Sequence, residues 1–206
     1  AGQTLTQVTR HLCRQLGVTV NLLPMSDAPI RTTIDSDAGP LAFQDYFVRR
    51  RAEPRVTAFR YEGATRAPPT AALASLLTDP DLAAIFIAPS NPYLSIDPIL
   101  AIPSLAAALR SSAAPVIAVS PIVGGRALKG PTAKIMAELG VAVTAGAIAH
   151  HYRDLLDGFI LDDADRAEGD ALVTGGLAVG ATRTVMTTLA DQIRLAEFAL
   201  GFAAPR

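Results

Sequence analysis

Two polar stretches, each directly behind an apolar run, hold the residue types that could do chemistry. Pro89-Ser90-Asn91-Pro92, with Ser95 and Asp97 close behind, follows Leu82–Ala88, and Ser120-Pro121 follows Pro115–Val119. Apolar runs of that length suit buried parallel strands. In an open α/β sheet, ligands bind outside the carboxyl ends of the strands. One such stretch alone reads equally well as a strand with an ordinary turn; its recurrence weighs against that. After Ser120 the chain continues through Gly124-Gly125 to Lys129-Gly130-Pro131. The two glycines let backbone amides approach an anion closely, Lys129 adds a mobile point charge, and Pro131 suits the first turn of a helix. Neither the spacing nor the residue after Lys129 matches a Walker A loop, and G-x-G-x-x-G is absent. A structural turn explains the glycines too. If the strand of Asn91 neighbours that of Ser120, the two loops flank one crevice.

Other groupings are weaker. Asp27 and Arg31 lie in a turn bounded by Pro24 and Pro29, where they could pair with each other. Arg49, Arg50 and Arg51 fit a helix C-terminus as well as an anion site. His150 and His151 are adjacent and cannot both face one metal from a helix or strand. Asp162, Asp163 and Asp165 follow a strand and are read as an acidic turn before a metal site. No Ser/His/Asp set assembles.

The elements that must position these residues come from a chain of 206 residues, 50% hydrophobic and 18% charged, with net charge −1. A sizeable core of Ala, Leu, Ile and Val is available, and no basic face speaks for nucleic acid. The lone Cys13 excludes an internal disulfide and is read as a buried hydrophobe. No apolar run reaches membrane-spanning length and no signal peptide is visible, so the expectation is a soluble cytoplasmic protein with no membrane partner.

Thr4 and Gln7 form a capping box before a helix with Leu5, Val8, Leu12 and Leu16 on one face. Val18–Leu23 reads as a strand, Asp35–Pro40 as a loop, and Leu41–Arg51 as a helix bearing Phe43, Tyr46 and Phe47. Further strands are expected at Val56–Tyr61, Val141–Ala145, Gly158–Asp162 and Ala178–Arg183. Helices are expected at Thr70–Leu77, Pro98–Arg110 and Thr132–Leu139. A last helix, capped by Thr188, should pack through Leu189, Ile193, Ala196 and Leu200. The alternation predicts an α/β fold: a Rossmann-like, mainly parallel sheet with helices on both faces and a small helical cap. Residues 1–206 read as one α/β domain, with 24–55 as the cap or insertion.

With these residues in view, the chain resembles the 2-phospho-L-lactate transferase family of coenzyme F-420 biosynthesis. The resemblance rests on Leu23-Pro24-Met25-Ser26-Asp27 with Arg31, Phe43 to Val48, Pro89 to Pro92 with Ser95, and Ser120-Pro121. It continues through Gly124-Gly125, Lys129 to Pro131, His151-Tyr152, Asp157 to Asp162 and Thr184-Val185-Met186. It implies transfer of a phospholactyl or phosphoenolpyruvyl group from a guanosine diphospho-linked three-carbon acid to the deazaflavin precursor Fo. GMP leaves, and magnesium assists. It further implies that Ser90, Asn91, Pro92, Ser95, Gly124, Gly125 and Lys129 hold nucleotide and phosphate. Met25, Asp27, Arg31, Phe43 and Tyr46 would serve Fo or the acid, with Lys129 and Asp27 catalytic and a homodimer as the assembly. Family members open with a glycine-rich segment and acidic residues that this sequence lacks before Ala1, so a fragment is expected and no metal ligands are assigned. The alternative is a non-catalytic nucleotide-sugar-binding regulator resembling the gluconeogenesis-factor family.

Overall fold

Strands buried on both faces must be apolar at every position. Val116–Val119 and Gly158–Asp162 meet that demand, with every residue of both buried. The computed structural model describes residues 2–204. In chain order its regular elements begin with α1 (Leu5–Gln15), β1 (Arg31–Ser36), β2 (Gly39–Ala42), β3 (Val56–Glu62), α2 (Ala71–Leu77) and β4 (Ile85–Ile87). Next come α3 (Asp97–Leu100), α4 (Pro103–Ser111), β5 (Val116–Val119), β6 (Ile122–Val123), β7 (Arg126–Ala127) and α5 (Thr132–Glu138). The chain closes with α6 (Ala145–His151), β8 (Gly158–Asp162), α7 (Arg166–Thr174), β9 (Ala178–Thr182) and α8 (Leu189–Ala203).

The main sheet has the order β4-β5-β8-β9, parallel throughout. Alternate residues serve its two faces, as strand geometry requires. Val116, Ala118, Phe159 and Leu161 belong to one core with Ile135 and Met136 of α5 and Ile148 of α6. Ile117, Val119 and Ile160 pack instead with Leu195 and Ala199 of α8. The expected α/β fold with helices on both faces is the one observed.

Residues 31–62 form a second, antiparallel sheet of order β2-β1-β3, whose Ile34, Leu41 and Val56 join the main core. The expected loop at Asp35–Pro40 is its hairpin: Ser36 Oγ donates to the Gly39 carbonyl at 2.7 Å, and Gly39 takes φ 86°. That turn lets β2 absorb the start of the expected Leu41–Arg51 helix, leaving a π-helical turn at Asp45–Arg49.

Other expectations shift for local reasons. Val18–Leu23 forms no strand, and Val18, Val20 and Leu22 stay exposed. Val141–Ala145 is not a strand either, because Thr144 caps α6, accepting the Ala147 N–H at 3.0 Å. The expected helix from Pro98 is two helical segments bent by 85° at the break before Pro103, whose ring lacks the donor that a continuous helix needs. The run Leu82–Ala88 contributes only three paired residues at the sheet edge, with Phe86 partly exposed. On α8, Leu189, Ile193 and Leu200 face outward, while Leu195 and Ala199 are buried beside Phe198 and Phe202. The phenylalanines win because Gly158 and Gly180 of the sheet leave room for their rings. No single helix among the described residues is long and apolar enough to cross a membrane.

Candidate functional site

Because β4 and β5 are parallel neighbours, the segments after both emerge on the same rim of the sheet. Asn91 terminates its loop by capping the π-helical turn Pro92–Ile96, its Oδ1 accepting the Leu94 N–H at 3.0 Å. Pro92 fits the first position of that turn and is buried there, off the cleft walls. After β5, Ser120 is 1% exposed, and its Oγ donates to the Ile122 carbonyl at 2.9 Å and accepts the Ile122 N–H at 3.1 Å. A hydroxyl engaged in that way shapes the wall, both of its hydrogen bonds among the described residues being to Ile122. The β6–β7 hairpin then carries the chain back over the rim to Lys129.

These segments enclose a cleft of about 410 Å³ whose walls include Ser90, Asn91, Ser95 and Lys129. Thr184 and Met186, from the segment after β9, close one side, and Phe43 and Phe47 close another. Asn91 Nδ2 is buried with no hydrogen-bond partner among the described residues. Buried amide donors are seldom left so. Lys129 is exposed, forms no ion pair among the described residues, and is the one charged side chain on the cleft walls.

Two more open recesses adjoin the cleft. One lies past Phe43 and Ser95 and is lined by Met25 and Arg31; Arg31 is its charged residue. The other lies past Phe47, with Arg51 and Lys134 as its charged residues. Lys134 is partly committed, pairing with Glu138 at 2.6 Å and donating to the Pro54 carbonyl at 2.9 Å. A chain of net charge −1 thus presents only cations along three contiguous recesses. Such a surface favours an anionic ligand.

Several sequence-derived candidates sit elsewhere. Asp27 is exposed and off these walls; it accepts the Thr6 N–H at 2.7 Å, and that bond holds its carboxyl below the usual value. Its work is at the start of α1. Tyr46 is fully buried in the main core, its hydroxyl pushed up to about 12 by burial and by nearby Glu138. Gly124 and Gly125 form the β6–β7 turn, and the Gly124 N–H is already donated to both carboxylate oxygens of Asp165 at 3.0 Å. That amide is not free for a phosphate. His151 pairs through Nε2 with Asp97 at 2.8 Å and meets Tyr93 edge-on at 5.3 Å, anchoring the segment that follows Asn91. Burial and then Asp97 push the Tyr93 hydroxyl up.

Among the described residues no group of three His, Cys, Asp or Glu side chains is placed to hold a metal, and no carboxylate lines the cleft. Thr184 and Met186 carried no signal of their own in the sequence beyond the resemblance. Phe47 reads there only as a packing partner of Phe43.

The profile of the family described as "2-phospho-L-lactate transferase CofD" matches residues 1–174. A 2-phospho-L-lactate transferase of Methanosarcina acetivorans is 34% identical over 97% of the chain and 64% of its own length. A phosphoenolpyruvate transferase of Kitasatospora aureofaciens is 36% identical over 98% of the chain and 64% of its own length. The chain thus spans less than two thirds of these curated relatives. A crystal structure of a UPF0052 family member from Bacillus halodurans superposes with TM-score 0.59 at 15% identity, covering 94% of this chain and 66% of that one. That likeness concerns the fold alone.

Proposed function

The chain belongs to the 2-phospho-L-lactate transferase family, and from that premise we propose that it moves a phospholactyl or phosphoenolpyruvyl group from a guanosine diphospho-linked donor to Fo. The observation that carries the reading is the shared cleft of Asn91 and Lys129, with cations as the charged groups of all three recesses.

The donor lies in the main cleft. Ser90, Asn91 and Ser95 offer polar contacts, and the unpartnered Asn91 amide supplies a donor at no new desolvation cost. Lys129 neutralises diphosphate charge. The flat deazaflavin of Fo lies against Met25 and Phe43, with Arg31 at its edge. An Fo hydroxyl oxygen attacks the phosphorus bearing the three-carbon acid. The bond from that phosphorus to the bridging oxygen breaks, GMP departs with the electron pair, and the hydroxyl proton passes to solvent. Positioning and charge neutralisation supply most of the rate in such displacements.

Titration with Fo, followed by its own fluorescence, and calorimetry with GDP test this reading. Saturable binding of both is expected. A chain that binds neither overturns it, and binding of GDP without Fo favours the regulator.

A further inference from the structure

Two buried carboxylates stand behind the cleft with no basic side chain paired to either among the described residues. Asp162, the last residue of β8, is 7% exposed, and Asp165 is 5% exposed. Burying an unpaired carboxylate costs several kcal/mol unless its oxygens are well bonded. Both are bonded, and their donors come from different segments: Thr184 on the cleft wall, and Gly124 in the hairpin beside it. Asp162 Oδ2 accepts the Thr184 N–H at 2.7 Å and the Thr184 hydroxyl at 3.2 Å, while its Oδ1 accepts the Ala164 N–H at 3.0 Å. Asp165 takes the Gly124 N–H between both oxygens, each at 3.0 Å. Thr184 lines the cleft directly, and Gly124 opens the hairpin that leads to Lys129.

We propose that Asp162 and Asp165 are positioning residues that clamp the Thr184–Met186 lip and the Lys129 hairpin onto the end of β8 and so set the width of the cleft. This inference rests on the functional reading above for its ligand, though not for its geometry. The charge itself argues for the role. Two carboxylates behind an anion site repel the anion, so they are an electrostatic liability that must be offset by what they hold. Charge-assisted bonds from an amide are roughly twice as strong as neutral ones. A neutral side chain would clamp less firmly.

The sign of one measurement separates positioning from charge. Calorimetric titration of the 206-residue chain with GDP would compare Asp165→Ala, Asp165→Asn and the parent. If Asp165 acted through its charge, either substitution would tighten GDP binding. Positioning predicts weaker binding, about tenfold for Asp165→Ala and less for Asp165→Asn, which keeps one acceptor. With Lys129→Ala as background, the Asp165 effect should shrink to within about twofold, as expected for two residues acting through one loop. Unchanged or tighter GDP binding by a cooperatively folded variant overturns the proposal.

Hydrogen exchange decides the geometry without any ligand. Asp165→Asn should speed exchange in residues 122–131 and leave 184–186 alone, and Asp162→Asn should do the reverse. Equal acceleration in both segments, or none, would also overturn it. A parent chain that binds no GDP would remove the functional reading, and the exchange pattern would still decide the clamp.

Discussion

Phe43 and Phe47 stack with ring centroids 5.5 Å apart and planes 13° from parallel, and each ring borders a different side recess as well as the main cleft. The pair forms a ridge that gives Arg31 one compartment and Arg51 another, with Lys129 in the cleft between. Charges separated in this way should be separable by substitution.

Lys129 is exposed and forms no ion pair among the described residues, so Lys129→Ala should leave the melting temperature within about 2 °C of the parent, as expected for a surface change. Hydrogen bonds to a charged group are worth about 1.5–3 kcal/mol, which corresponds to GDP affinity lower by about 10- to 100-fold. Calorimetry that finds GDP affinity intact would remove Lys129 from the site.

Arg31→Ala should act on the other compartment. Fo binding, read from its fluorescence, is expected to weaken by about tenfold while GDP affinity changes less than about twofold. Equal losses for both ligands would mean that the two recesses do not serve separate ligands.

Gly63 joins β3 to the segment behind it with φ 90°, and a Cβ there would lie 2.5 Å from the Pro29 carbonyl oxygen. That oxygen belongs to backbone, which cannot swing away as a side chain would. Gly63→Ala therefore combines left-handed strain with a clash and should cost about 2 kcal/mol or more in chemical denaturation. It should weaken Fo more than GDP, because Pro29 adjoins Ile30 and Arg31 of the recess proposed for Fo. A variant as stable as the parent would contradict the packing of that turn.

Asp191 closes the capping box of α8. Its Oδ1 accepts from Arg194 at 2.6 Å, and its Oδ2 accepts from the Thr187 and Thr188 amides and hydroxyls. The Arg194 bond first, then those from the threonines, hold its carboxyl well below the ordinary range. A carboxyl depressed in the folded state stabilises that state above its unfolded value, about 3.9, and loses the contribution as pH falls below it. The gap in melting temperature between the parent and Asp191→Asn should accordingly be widest above about pH 5 and narrow towards pH 2. A gap that stays constant over that range would show that the ionised carboxylate adds nothing.

Much of this was legible in the residues. Val116–Val119 and Gly158–Asp162 announce buried parallel strands because no polar side chain interrupts them before the rim, and the capping boxes at Thr4 and Thr188 mark two helix starts. Ser90, Asn91, Ser95 and Lys129 could be named because polar residues directly behind such strands have few other places to go. Of the second sheet only Val56–Tyr61 was legible, and it forms β3. The polar β1 and the short β2 were not, because the turn at Ser36–Gly39 reads equally well as a loop.

The apolar runs, their order and their turn residues by themselves determined a parallel α/β sheet with a polar rim, and the motifs along the chain carried the resemblance to the family. Tertiary structure alone decided which rim residues are free to meet a ligand. Tyr46 is consumed by the core, Asp27 by the start of α1, and the Gly124 amide by Asp165, whereas Lys129 meets no ion-pair partner among the described residues. The reason is that a hydrogen bond or a packing contact spends a side chain on a partner far away in sequence. Such a partner is chosen only when the chain closes on itself.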